Sequence, residues 1–421
     1  MKEKIGKIRW TIVVMLLFSY AFMYMARTAV SLTGPLMMQD NGWSATQFGL
    51  VSTAFFIGYA LTMFPAGWLA DKFGATKVIS VGILTWAVFT FFSPFASSIG
   101  FFIFIRILVG IGQGVTLPSA SSVMAKWVPK KEAATAQGIC QIGTPLGTTL
   151  SMFIGVQIIA AFGWKYVFYI FAFLGPIWVA VWLKNGKDRP DLHKGLTKEE
   201  FNYITADQKT ASGSTTALPP LPTPLVVKNK NVWAATIAYF CFTYVFYLLL
   251  TWLPTYLALG RGFTLVKSGY FTAIPYMVAW FTYPLGGILA DKAAEKFGQG
   301  GRKLMPVIGM LFGGVCLFFG ANVPSAGLAI ALISASMGFL TLTQGGFFSL
   351  PTIFAPRNVG TLVGLYGFIG TMGGISAPVV TGMIVDSAGY NYALYLGAAM
   401  ALISSLVLIF FCRVKPVQEI V

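Results

Sequence analysis

Apolar runs of membrane-spanning length recur twelve times along the chain. They lie at about 10–33, 47–70, 77–97, 100–125, 134–162, 166–184, 231–257, 268–290, 303–322, 325–353, 359–384 and 390–412. A helix crossing the hydrocarbon core needs about 20 mostly apolar residues, so each run predicts one transmembrane helix and the fold class is all-α integral membrane. One long polar segment, residues 185–230, interrupts the series. It contains NGKDRPDLHKGLTKEE and ALPPLPTPLVVKNK. Its Pro, Lys and Glu enrichment predicts a linker, helical in part near Glu199. The chain thus divides into a six-helix bundle (1–184), a linker (185–230) and a second six-helix bundle (231–421). The first run is too long, and lacks a cleavage site, for a removable signal peptide.

Composition agrees with the pattern. Of 421 residues, 56% are hydrophobic and only 10% charged, against roughly 25% charged in a soluble domain. The net charge of +16 would fit a nucleic-acid binder, but its placement argues otherwise. Lys2, Lys4, Lys7 and Arg9 precede the first span. Lys72 and Lys77 follow the second, Lys126, Lys130 and Lys131 the fourth, and Lys292, Lys296, Arg302 and Lys303 the eighth. Arg357 follows the tenth, and Arg413 and Lys415 the twelfth, while the alternate loops hold only Lys165, Arg261 and Lys267. Basic residues mark the cytoplasmic side, so both termini are expected there and no nucleic-acid partner is expected. Cys140, Cys241, Cys316 and Cys412 all fall in spans, spaced for neither zinc nor a disulfide framework. No metal or cofactor is expected.

The halves repeat. GWLADKFGATK (67–77) closes the second span and GGILADKAAEKFGQGGRK (286–303) closes the eighth. Look-alike halves are a transporter architecture, with substrate held between them near the midplane. Glycines at a helix end permit close helix contact, and an aspartate there can pair with a helix N-terminus or an arginine. Gly67, Asp71, Lys72, Gly74, Asp291 and Lys292 are therefore the candidate conformational latch. The paired motif, the twelve spans and the central linker resemble the major facilitator superfamily. Within it, YMARTAVSL (24–32), GLVSTAFFIGYALTMFPAGWLADKFG (49–74), RILVGIGQGVTLPSASSVMAKWVP (106–129), FGWKYVFYIFAFLG (162–175), TWLPTYL (251–257) and GTMGGISAPVVTG (370–382) resemble the anion:cation symporter branch. That branch includes hexuronate, galactonate and vesicular glutamate carriers. The likeness covers nearly the whole chain and implies a major facilitator fold.

Ionisable groups within spans are costly and mark function. Arg27 lies in span 1 and Arg106 in span 4. Gln113 shares a helix face with Arg106, and Tyr24 shares one with Arg27. Tyr59 in span 2 adds a hydroxyl, and Thr144 in span 5 another. Two guanidiniums with such donors form a clamp for a carboxylate, sulfonate or phosphate, which the planar fork binds bidentately. The resemblance implies the same: Tyr24, Arg27 and Tyr59 match positions that bind the anion, and Arg106 matches the branch's span-4 arginine. Snorkelling to the headgroups is the competing account of both arginines. In the second half, Tyr239, Thr243, Tyr244 and Tyr247 in span 7, Gln344 and Ser349 in span 10, and Tyr366 and Thr371 in span 11 are candidate side walls. Of these, Tyr244, Tyr247, Gln344 and Thr371 join the expected binding set.

The chain also departs from the branch. Related symporters carry an aspartate before the span-1 arginine and a glutamate seven residues after the span-4 arginine; here those positions are Ala26 and Gln113. The acids are Glu3, Asp40, Asp71, Glu132, Asp188, Asp191, Glu199, Glu200, Asp207, Asp291, Glu295, Asp386 and Glu419, and the single histidine is His193. All lie in tails, loops or span ends, leaving no side chain at the midplane to titrate near neutral pH. The expectation is a monomeric alternating-access carrier of a small organic anion, such as a sugar acid or monocarboxylate, in a bacterial inner membrane. Exchange, uniport or sodium coupling is favoured over a side-chain proton relay, with the substrate as counter-ion of Arg27 and sodium or a counter-transported anion as partner. Some dicarboxylate-carrying relatives have an arginine where this chain has Phe242, which with the many aromatics points to a less polar or smaller substrate. An organophosphate:phosphate or sulfonate carrier and a non-transporting receptor are the alternatives. A membrane enzyme would need acids, bases, nucleophiles or metal ligands within the spans, and these hold no acid or histidine and no metal-ligand spacing.

Overall fold

A computed structural model describes residues 6–63, 65–96, 98–211, 226, 228–355 and 358–416. Every regular element among them is helical. In chain order these are α1 (Ile8–Asn41), α2 (Ala45–Met63), α3 (Ala66–Phe73), α4 (Ala75–Phe92), α5 (Ile99–Gly114), α6 (Thr116–Trp127), α7 (Lys130–Phe162) and α8 (Lys165–Asn185). There follow α9 (Lys198–Ala211), α10 (Lys230–Thr255), α11 (Leu265–Phe297), α12 (Leu304–Asn322), α13 (Ala326–Leu342), α14 (Gln344–Phe354), α15 (Val359–Ala388) and α16 (Tyr390–Phe411). Twelve stretches of the described residues are long and apolar enough to cross a membrane, the number the apolar pattern predicts.

Prolines explain where a span is divided. α5 ends at Gly114 and α6 starts at Thr116, because Pro118 has no N–H to give the Gly114 carbonyl. Pro65 sits between α2 and α3 in the same way. Pro145 lies inside the continuous α7. The four cysteines are free thiols, Cys316 half-buried and the others buried.

By contacts the chain falls into two compact units. The first holds the described residues of Met1–Ala29, Ala54–Ser151 and Ile158–Ala217; the second holds those of Val30–Thr53, Met152–Gln157 and Leu218–Val421. After α9, the division falls within the 185–230 segment. The end of α1, the start of α2 and residues 152–157 within α7 group with the later helices.

In the first unit, α9 covers the start of α1 and α7. Glu200 is fully buried and accepts from the backbone N–H of Ile8 (3.2 Å) and of Arg9 (3.1 Å) and from Arg9 Nη1 (3.2 Å). A carboxylate at a helix N-terminus satisfies orphan N–H groups and faces the positive end of the dipole. Arg9 Nε also donates to Glu132 at 2.8 Å, and Tyr203 Oη donates to Glu132 at 2.6 Å. In the exposed turn between α8 and α9, hydrogen bonds from Arg189 hold the Asp191 carboxyl below its ordinary range.

In the second unit, basic side chains close helix ends. Arg261 donates to Gly320 O (3.0 Å) in the last turn of α12 and to Val323 O (2.8 Å) just after it. Lys303 Nζ donates to Cys412 O at 2.8 Å, after α16. Both complement the negative end of a helix dipole. At the opposite kind of end, Asp386 of α15 accepts from the backbone N–H of Ala45 (2.9 Å) and Thr46 (2.8 Å) at the start of α2. Thr53 Oγ1 donates to Ile375 O at 2.7 Å along the same seam. Asp386→Ala should lose about 1 kcal/mol, the usual worth of such a cap, whereas Asp386→Asn keeps an acceptor and most of that stability. Comparing thermal unfolding of the two variants checks this; equal midpoints would remove the cap from the account.

Candidate functional site

Two glycines bring the chemistry together. A Cβ at Gly110 of α5 would overlap the carbonyl oxygen of Phe55, and one at Gly58 of α2 would overlap that of Ile107. Only backbone-to-backbone contact fits there, the role small residues play between membrane helices. It lays the Phe55 and Tyr59 face of α2 against Arg106. α1 brings Arg27 to the same place.

The Arg27 guanidinium lies over three rings, its carbon 4.5 Å from the centroid of Tyr24, 4.7 Å from Phe55 and 5.0 Å from Tyr59. Its Nε donates to Gln113 Oε1 at 3.1 Å, and Gln113 Nε2 donates to Met23 O at 3.2 Å. Gln113 is fully buried and Arg27 is 5% exposed. Arg106 is 4% exposed, with its guanidinium carbon 4.9 Å from the Phe55 centroid. Its Nε is buried with no hydrogen-bond partner among the described residues.

The head of Arg27 is buried under rings, 14 residues before the end of α1. A ring face attracts a cation with about 0.5–2 kcal/mol. Both guanidinium carbons lie within 5 Å of one centroid, so they are within about 10 Å of each other. Two unit charges at ~10 Å repel by about 1.7 kcal/mol at an effective dielectric of about 20. The cluster sets two buried cations against the rings of Tyr24, Phe55 and Tyr59.

The structure brings together Tyr24, Arg27, Tyr59, Arg106 and Gln113, all in the first unit. Thr144 is buried in the same unit, its carbonyl accepting from Thr148 Oγ1 at 3.0 Å. Phe55, which the two cations share, went unnoticed in the sequence. Its signal was the i, i+4 spacing to Tyr59 on one face of α2. The remaining candidates lie in the second unit. Tyr244 is buried, and Tyr247 packs edge-on to Phe246 at 5.4 Å. Gln344 Nε2 donates to Tyr283 Oη at 3.3 Å, while Thr371 Oγ1 donates back to Gly367 O at 2.8 Å. A ring cluster dominates here: Tyr239 stacks on Tyr366 at 5.3 Å and on Phe242 at 5.8 Å, with Phe347 5.6 Å from Phe242.

The two copies of the latch motif differ. Asp291 pairs with Arg302 at 2.8 Å, near the surface, and Lys292 is exposed beside it. Asp71 is exposed, as is Lys72, whose Nζ lies 4.7 Å from the Trp68 centroid. Gly67 stands in open space. Gly74, at φ 90°, turns the chain from α3 into α4. The N-terminus of α4 is capped by Asp188, which accepts from Thr76 N at 2.6 Å. The cap on this helix is thus a carboxylate from beyond α8.

No group of three or more histidines, cysteines or acids fit to hold a metal occurs among the described residues. The acids lie at helix ends or in connecting segments: Asp40 closes α1, Glu132 opens α7, Asp291 and Glu295 close α11 and Asp386 closes α15.

Twelve membrane-length helices and a pair of buried arginines mark a polytopic membrane protein. The family model for the Major Facilitator Superfamily matches residues 16–370, and the chain belongs to that superfamily of transporters. It is 30% identical over 416 residues to the hexuronate transporter of Bacillus subtilis (strain 168), covering 97% of this chain and 96% of that one. It is 31% identical over 419 residues to the probable sulfoacetate transporter SauU of Cupriavidus necator, covering 97% and 95%. The crystal structure of a bacterial homolog to the human lysosomal transporter Spinster, inward-facing and occupied, matches with a TM-score of 0.78. It is 18% identical, covering 97% of this chain and 98% of that one. At that identity the likeness is one of fold.

Proposed function

We propose that the protein is an alternating-access carrier of a small organic anion, a carboxylate or sulfonate, in a bacterial inner membrane with both termini cytoplasmic. The observation that carries this reading is the pair of buried guanidiniums, Arg27 and Arg106, sharing the ring of Phe55. Burying charge is expensive, and a ring-lined cationic pocket in a transporter recovers that cost when an anion enters. Tyr24, Tyr59 and Gln113 orient Arg27, so that its fork is held before substrate arrives. The names of the relatives, a hexuronate and a sulfoacetate transporter, support an anionic cargo for this chain as well. The basic residues at alternate span ends support the orientation.

Coupling follows from what the pocket contains. Gln113, an amide, is the hydrogen-bond partner of Arg27 Nε, and an amide takes up no proton near neutral pH. Exchange, uniport or sodium coupling therefore suits the chain better than a proton relay through side chains.

The test is thermal unfolding of the purified protein against a panel of carboxylates, sulfonates and phosphates, with and without sodium. A ligand of the folded state raises stability by RT ln(1 + [L]/Kd), about 2.7 kcal/mol at 100 Kd. Stabilisation by carboxylates or sulfonates is expected, and its dependence on sodium would identify the coupling ion. Stabilisation by phosphates alone would move the assignment to an organophosphate or phosphate carrier. No stabilisation by any anion would overturn the reading.

A further inference from the structure

We propose that a groove in the first unit, where α3, α4 and the junction of α5 with α6 meet, holds one acyl chain of an anionic glycerophospholipid, with the lipid phosphate on Lys77. This binding is independent of the anion-carrier reading and needs only that the helices span a bilayer.

The groove measures about 440 Å³, within the roughly 300–1,000 Å³ range of small-molecule sites. Glycines set its floor. A Cβ at Gly82 of α4 would overlap the carbonyl oxygen of Gly112, and one at Gly112 of α5 would overlap that of Gly82. The two helices therefore meet backbone to backbone. The walls are apolar even where threonines form them. Thr62 Oγ1 donates to Ile111 O at 3.0 Å, and Thr85 Oγ1 donates to Val81 O at 2.8 Å, so both hydroxyl protons are taken by backbone carbonyls.

Of the residues lining the groove, Lys77 alone is charged. It is exposed in the first turn of α4 and takes part in none of the ion pairs among the described residues. The carboxylate at that helix end, Asp188, accepts from the Thr76 N–H instead. An apolar slot with one ammonium at its end fits a hydrocarbon chain that carries an anionic head.

Depth and access favour a lipid. Thr85 lies eight residues beyond Lys77 on α4, about 12 Å along the axis, close to one leaflet of a hydrocarbon core about 30 Å thick. Val81 is 64% and Phe73 52% exposed, so the groove opens sideways, where a membrane-length helix meets acyl chains. Lysines at the end of a span attract anionic headgroups.

The experiment offers the purified full-length protein equal amounts of phosphatidylglycerol and phosphatidylcholine with identical chains, and counts retained lipid by native mass spectrometry. One phosphatidylglycerol should be retained about fivefold over phosphatidylcholine, the worth of one lysine beside an anionic lipid. Lys77→Gln should bring the two lipids to parity. Lys296→Gln, which removes the same charge from the exposed end of α11, should leave the preference as it was. Val81→Trp fills the groove and should lose the retained lipid; Val81→Phe serves if the tryptophan variant does not fold. Equal retention of the two lipids by the wild type, a preference unchanged in Lys77→Gln, an equal fall in Lys296→Gln, or full retention in the groove-filling variant would each overturn the assignment. Anion-induced stabilisation of the wild type is a separate measurement, so failure of the carrier reading and failure of the lipid site are told apart.

Discussion

Arg27→Ala should abolish uptake into proteoliposomes and leave the protein folded. Both halves of this expectation come from the same contacts. A hydrogen bond to a charged group contributes about 1.5–3 kcal/mol, so losing one such bond to the anion weakens binding by roughly 10- to 150-fold. The fork makes two such bonds at once, and the effect compounds. The fold survives because Arg27 packs against rings that belong to α1 and α2 themselves, and because Gln113 keeps its bond to the Met23 carbonyl. Removing a buried charge also relieves its repulsion with Arg106, about 1.7 kcal/mol at ~10 Å with an effective dielectric of about 20. Arg27→Lys separates charge from geometry. It retains the cation but loses the planar fork and the stacking on three rings, so uptake should stay at least tenfold below wild type. Uptake by Arg27→Ala within threefold of wild type, at equal protein in the membrane, would remove Arg27 from the binding site.

Glu200→Ala should destabilise the first unit more than any surface change, by about 3 kcal/mol. Breaking a buried ion pair by deleting one partner costs about 3–5 kcal/mol, because the other charge stays buried. Here the low end applies, since Arg9 keeps its bond to Glu132 at 2.8 Å. The variant also strips the acceptor from two N–H groups that open α1. Thermal unfolding measures the loss, and proteolysis between α8 and α10 reports on whether α9 has come away. Glu200→Gln keeps an acceptor and should lie between the two. The affinity of the Arg27 pocket should be unchanged in both variants, because 18 residues of α1, about 27 Å, separate Arg9 from Arg27. A wild-type unfolding midpoint in Glu200→Ala would mean that α9 is held by something other than this carboxylate.

These two sites show how unevenly the chain announces itself. Arg27 is visible because a guanidinium in the middle of an apolar run is anomalous whatever surrounds it. Arg106 and Gln113 are visible for the same reason, and the spacing of seven places them on one face. Glu200 is not visible. Glutamate beside lysine in a Pro-rich polar linker reads as solvated, and it becomes a buried cap only because the residue it caps lies 191 positions earlier. The same is true of Arg9 and Lys303. Both were read as topology signals, yet one is buried in an ion pair and the other caps a helix. Phe55 fell between these cases. Its spacing to Tyr59 was legible, but an aromatic in a membrane span carries no signal until two cations are found above it.

The sequence by itself determined the twelve spans, the linker between the sixth and seventh, the repeated motif and the arginines that must be accommodated. Each follows from local composition: the length of an apolar run measured against bilayer thickness, and the high cost of a charge inside it. The tertiary structure alone decided which carboxylate caps which helix, such as Asp188 at the start of α4. It also decided that α9 packs on α1 and that one phenyl ring serves both arginines. Those are contacts between residues far apart in the chain, selected by which N–H groups, charges and ring faces meet when the helices pack, and no local pattern encodes them.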